Sequence, residues 1–200
     1  MSYSLSLYLV DPAKVRGVVG SGDDKLRRMM GGAFKTQFPH DDDYFSHEIE
    51  RGAPTRYDAL RAVIAGGPFV EEFAWQYGYA YEMVCRFHGR SLFNNCFSPF
   101  RSGWLEEVDK GLVALGIRAV EISGFSYSSL PGELPRPDFV PGYGEWSAQE
   151  CSSALKQWEA STPEQRAALD SEVLEAIESV VGWLVKAREK EGAGVVGFFY

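Results

Sequence analysis

Cysteine is scarce and scattered. Cys85, Cys96 and Cys151 are an odd set without a Cys-x-x-Cys pair, which excludes a disulfide framework and a cysteine-built structural zinc site. No apolar run approaches the roughly 20 residues a membrane helix needs, and residues 1–10 alternate serine with leucine instead of forming a signal-peptide core. A soluble chain of the cytoplasm, with no membrane partner, is expected. Positive charge is also in deficit: 20 Lys and Arg stand against 28 Asp and Glu, a net charge of −8, which argues against binding a phosphate backbone. Nucleic acid is therefore not expected as a partner. Finally, there is no Gly-x-Ser-x-Gly elbow, no GxxxxGK[ST] loop and no GxGxxG after a strand. Without any catalytic signature, neither an enzymatic activity nor a cofactor is expected.

What is present is patterning. Tyr3, Leu5, Leu7 and Leu9 alternate with Ser4, Ser6 and Tyr8, the period-two signal of a strand, and Asp11-Pro12 then opens a helix over 12–19. Helices follow over 23–30, stopped at Gly31-Gly32, over 41–51, and over 54–65, the last opened by Thr55 with Asp58. Residues 104–115 form an amphipathic helix and 117–122 a strand, whereas residues 130–143, with Pro131, Pro135, Pro137 and Pro141, are an extended loop of the kind that is functional or wraps a domain. Ser147 with Glu150 and Thr162 with Gln165 are capping boxes. The stripe Val173, Leu174, Ile177, Val180, Val181 and Leu184 marks a core helix, which breaks at Gly192–Gly194 before a terminal strand over 195–200. Many helices with a strand at each chain end predict an α+β fold, a single helix-rich domain whose small sheet pairs the N- and C-terminal strands.

The most concentrated chemistry lies on the aromatic helix 71–88. Trp75, Tyr77, Tyr81, Cys85 and His88 fall near one helical stripe, which is either core or the wall of a cleft. Tyr79 points away from Tyr77 and Tyr81, so the helix is buried on both sides or presents a ring to a cleft. Cys85 and His88, at i and i+3, could pair as thiolate and imidazole, although a buried cysteine beside an aromatic-packed histidine is the commoner outcome. His40, Asp43 and His47 have the residue types of a divalent-metal site, but the aspartates of His40-Asp-Asp-Asp43 also suit a helix N-terminus, and capping is the reading adopted, with no metal expected.

Acid is unevenly spread. Residues 145–178 hold eight acids against Lys156 and Arg166, so Glu164, Glu172, Glu175 and Glu178 are a candidate docking surface for a basic protein partner. The opening SYSLSLYLVD, the ALRAVIAGG before the aromatic segment and the closing WLVKAREKEGAGVVGFFY resemble the bacterial YfbM-like proteins, with an SxDDKL-type start and a YGYAY centre resembling an actinobacterial or myxobacterial branch. That resemblance implies one YfbM-like α+β domain over residues 1–200 in a bacterial cytoplasm, and no catalytic motif. Two functions fit: a non-enzymatic, immunity-type interaction module, which is favoured, and a small-molecule-binding or hydrolase-like protein with a cleft lined by helix 71–88.

Overall fold

Leu5, Leu7 and Leu9 do alternate as a strand requires, and in the computed structural model, which describes residues 2–200, they lie on β1 (Leu5–Val10). In chain order there follow α1 (Pro12–Arg16), α2 (Asp24–Ala33), α3 (Phe38–Tyr44), α4 (Ser46–Glu50), α5 (Arg56–Ala65), α6 (Ala74–His88), β2 (Arg90–Ser91), α7 (Trp104–Ala114), β3 (Gly142–Trp146), α8 (Ala148–Ala160), α9 (Pro163–Ala167), α10 (Ser171–Arg188) and β4 (Gly194–Phe199). The fold is α+β. Its one sheet among the described residues is antiparallel throughout, in the order β2-β1-β4-β3, and the two terminal strands pair at its centre from Leu5 opposite Phe199 to Val10 opposite Gly194.

By its internal contacts the chain divides into two compact units, Met1–Pro12 with Gly89–Ser128 and Gly142–Tyr200, and Ala13–His88 with Ser129–Pro141. The first unit contains the sheet. On one face Leu5, Leu7, Val195 and Trp146 join Ile177, Val180, Trp183 and Leu184 of α10 and Val108 and Leu112 of α7 in one core. The other face carries Tyr8, Tyr143, Val196 and Phe198, also buried. Two strand glycines let Phe125 approach the sheet closely: a Cβ at Gly197 would stand 2.6 Å from its Cδ1, and one at Gly144 would stand 2.9 Å from the same atom. Both expected capping boxes are formed, at the starts of α8 and α9, each satisfying backbone N–H groups that the helix leaves open.

Three expectations need correction. Residues 117–122 are not a strand; the Arg118 and Ala119 amides donate to Gln157 Oε1 (2.8 and 3.1 Å), and those of Ile122 and Ser123 donate to the Asp109 carboxylate (2.7 and 3.0 Å). Side chains take the place of a neighbouring strand, and the remaining strands are β3, at the end of the proline-rich segment, and the short β2. Helix α2 does not stop at Gly31-Gly32 but runs to Ala33, because neither glycine takes the left-handed conformation that ends a helix; Gly31 instead seats the Tyr57 ring, whose Cε2 would be 3.0 Å from a Cβ there. The expected helix 41–51 is two helices, α3 and α4, which meet at Phe45, whose ring packs against Trp75 with centroids 4.5 Å apart.

Candidate functional site

In the second unit, α6 follows a 3-10 turn at Glu71–Phe73 and its tyrosines diverge as 3.6-residue periodicity demands. Tyr77, Tyr81 and Cys85 lie inside the protein. The Tyr77 hydroxyl accepts the Val70 amide (3.0 Å) and its ring meets Phe69 edge-on, so it fastens the preceding loop. Tyr79, on the other side, faces Phe45 and Trp75, and burial pushes its phenol pKa up. His88, at the helix end, is half-buried, and its imidazole pKa is lowered first by that burial and then by Lys14. The five candidate cleft residues therefore do not share one wall: Trp75 borders a groove, and Tyr77, Tyr81 and Cys85 are packing residues.

The acids of the His40-Asp-Asp-Asp43 segment have a use the sequence does not reveal. Helix α3 begins at Phe38, with Pro39 in its first turn, and Gln37 at its N-cap makes no side-chain cap, so the aspartates do not cap the helix they lie on. Instead Asp42 Oδ1 accepts the Arg56 amide (2.7 Å) at the start of α5, and Asp41 Oδ2 lies 3.6 Å from Arg56 Nε. The Arg56 side chain is only 4% exposed. Its guanidinium stands 4.4 Å from the Tyr79 ring centroid and 5.5 Å from that of Phe45, and Nη1 donates to the Gln76 carbonyl at 3.4 Å. A cation is thus held inside the unit by two rings, a carboxylate and a carbonyl. His40, Asp43 and His47 stay exposed, and among the described residues no group of three His, Cys, Asp or Glu side chains comes close enough to hold a metal ion.

The groove at Trp75 has a volume of about 250 Å³. It is lined by Glu71, Glu72, Ala74 and Trp75 on one side and by residues 136–140 on the other. The loop is held against α6 because that helix carries Gly78 one turn beyond Ala74: a Cβ there would stand 2.7 Å from Pro141 Cγ and 3.6 Å from Leu130 Cδ1. With Leu130 and Leu134 buried as anchors, the loop projects Phe139, which is 86% exposed. Trp75 is backed by Phe45 and Tyr79, which fixes its ring. The rim is acidic: Glu71 and Asp138 make no ion pair among the described residues, and Glu72 only a loose one to Arg51 at 3.8 Å. Tyr44 (80% exposed), Val70 and Val140 extend the solvent-facing apolar surface of this unit. Phe139, Asp138 and Arg136 were not singled out in the sequence, where the only signal was a long proline-rich loop carrying an apolar Phe-Val pair.

In the first unit Glu164, Glu172, Glu175 and Glu178 are all exposed, Glu172 with a distant contact to Arg101 at 3.7 Å. A second cavity, of about 260 Å³, is lined by Arg118, Glu121, Glu145, Trp146 and Glu150 among others. Its carboxylates are engaged by the fold itself. Glu121 Oε1 accepts from Ser123 Oγ (3.0 Å) and Tyr127 Oη (2.9 Å), Glu145 accepts from the Tyr143 hydroxyl, and Glu150 serves the Ser147 capping box. Asp109 beside it, with its pKa raised chiefly by burial, is occupied with the amides of residues 122 and 123.

The fold and the groove define an α+β protein of net negative charge with an exposed aromatic side chain at a carboxylate-rimmed groove. The chain belongs to the family described as a domain of unknown function, DUF7691, whose model matches residues 1–200. No curated protein and no solved structure matches the chain. No helix of the described residues is long and apolar enough to cross a membrane.

Proposed function

We propose that the protein is a non-enzymatic interaction module of the bacterial cytoplasm, an immunity-type partner that takes a basic segment of another protein. The observation that carries this reading is Phe139, held almost wholly in water beside Trp75 at a groove whose rim is acidic. A lone exposed apolar side chain needs no explanation, but Phe139 lines one groove with Trp75 and Val140, and a grouped apolar surface of that kind is useful in docking. The net charge of −8 and the exposed Glu175 and Glu178 on α10, which make no ion pair among the described residues, add a long-range field that draws a cationic partner in. The YfbM-like resemblance, with its actinobacterial or myxobacterial branch, accords with this setting, and one domain over residues 1–200 is the unit that would act.

Peptide binding tests it. Equal-length peptides rich in Lys and Arg, in Asp and Glu, or in neither are titrated into the full chain at rising salt concentrations. Preferential, salt-sensitive binding of the basic set is expected. Equal binding of all three sets, or of none, would remove the proposal.

A further inference from the structure

Resting on that reading, we propose that the groove between Trp75 and Phe139 is a socket for one arginine side chain of the bound segment. Size comes first. A volume of about 250 Å³ is below the roughly 300–1,000 Å³ of sites that enclose a drug-sized ligand, and it suits a single long side chain presented by a peptide. Charge comes second. Glu71, Glu72 and Asp138 outnumber Arg136 around the groove, and Glu71 and Asp138 make no ion pair of their own among the described residues, so a cation is the complementary guest. The apolar walls, Trp75, Ala74, Pro137, Phe139 and Val140, then distinguish between cations.

A lysine ammonium is compact and strongly hydrated, and it loses water on entering such a site. A guanidinium is flat and weakly hydrated; it stacks on an aromatic face while its edge donates two hydrogen bonds to a carboxylate. The interior of the same unit displays that chemistry with its own Arg56, which lies over the Tyr79 and Phe45 rings beside Asp41. The socket is also fixed in advance. Phe45 and Tyr79 back the Trp75 ring, and Pro141 seated on Gly78 holds the loop, so binding orders little of the protein.

The test uses the full chain and a nine-residue peptide of serine, glycine and leucine with one central arginine, compared with versions carrying lysine or citrulline there. Binding is followed by NMR through the Trp75 indole N–H, assigned from its loss in Trp75→Phe. The arginine peptide is expected to shift that resonance and to bind about tenfold more tightly than the other two. Phe139→Ala, which alters a side chain that is mostly in water, and the double change Glu71→Gln with Asp138→Asn are each expected to weaken it about tenfold, while Glu164→Gln leaves it unchanged. Equal affinity for arginine and lysine, or shifts that bypass Trp75 and ignore Phe139→Ala, would overturn the socket and leave the interaction module standing on the salt-sensitive peptide series. Failure of every basic peptide, including the Lys- and Arg-rich set, would remove both.

Discussion

A Cβ on Gly78 would stand 2.7 Å from Cγ of Pro141, so the middle of the aromatic helix and the end of the proline-rich loop are in contact only because residue 78 has no side chain. Gly78→Ala adds a methyl group where there is no room for it. Although alanine is the better helix former, the overpacking should cost about 1–3 kcal/mol. Thermal unfolding reads the loss, and binding of the arginine peptide should fall with it as residues 136–140 shift. An unchanged or raised Tm would mean that the loop yields easily.

Arg56 is a second point of vulnerability. Arg56→Met keeps the volume but removes the charge facing Asp41 and the cation over Tyr79, and the cost expected is about 3 kcal/mol, at the low end for a buried pair because the Asp41 side chain retains 21% exposure. The Asp41→Asn, Arg56→Met double variant should recover part of it. Urea denaturation of the wild type, both single variants and the double variant gives the coupling.

On α10 the two faces should respond differently. Leu184→Ala, in the core of the first unit, should cost about 2–5 kcal/mol from lost transfer energy and the cavity it leaves, and Glu175→Ala, in water on the opposite face, should be neutral within error. Equal losses would place α10 in a different packing.

His88 ties stability to pH. Its folded pKa lies below the ordinary value near 6.5, with burial as the first cause and Lys14 the second, so as pH falls below about 6.5 the unfolded chain takes up a proton that the folded one resists. Stability contributed by neutral His88 is complete above that value and declines as pH drops toward the folded pKa. His88→Gln should flatten the decline between pH 6.5 and 5. Denaturant midpoints across that interval, for both proteins, show whether it does.

Local physics made much of this molecule legible in its sequence. The alternation of Leu5, Leu7 and Leu9, the capping boxes at Ser147 and Thr162 and the stripe ending at Leu184 each depend on neighbours a few residues away, and each stands where periodicity and capping chemistry place it. The pairing of the chain ends followed as well, since two apolar strands needed partners. The structure alone decided the features that depend on distant residues. Residues 117–122 read as a strand, yet Gln157 and Asp109 satisfy their amides, and Gly142–Trp146, whose glycines argue against a strand, is one because it pairs with β4, with Gly144 leaving room for Phe125. Asp41 and Asp42 read as helix caps until Arg56 is seen between them and Tyr79. Trp75 is separated from Tyr77 and Tyr81 for the same kind of reason: the sequence sets the helical spacing, but only the packing of a loop some sixty residues later determines which ring meets a groove and which becomes core.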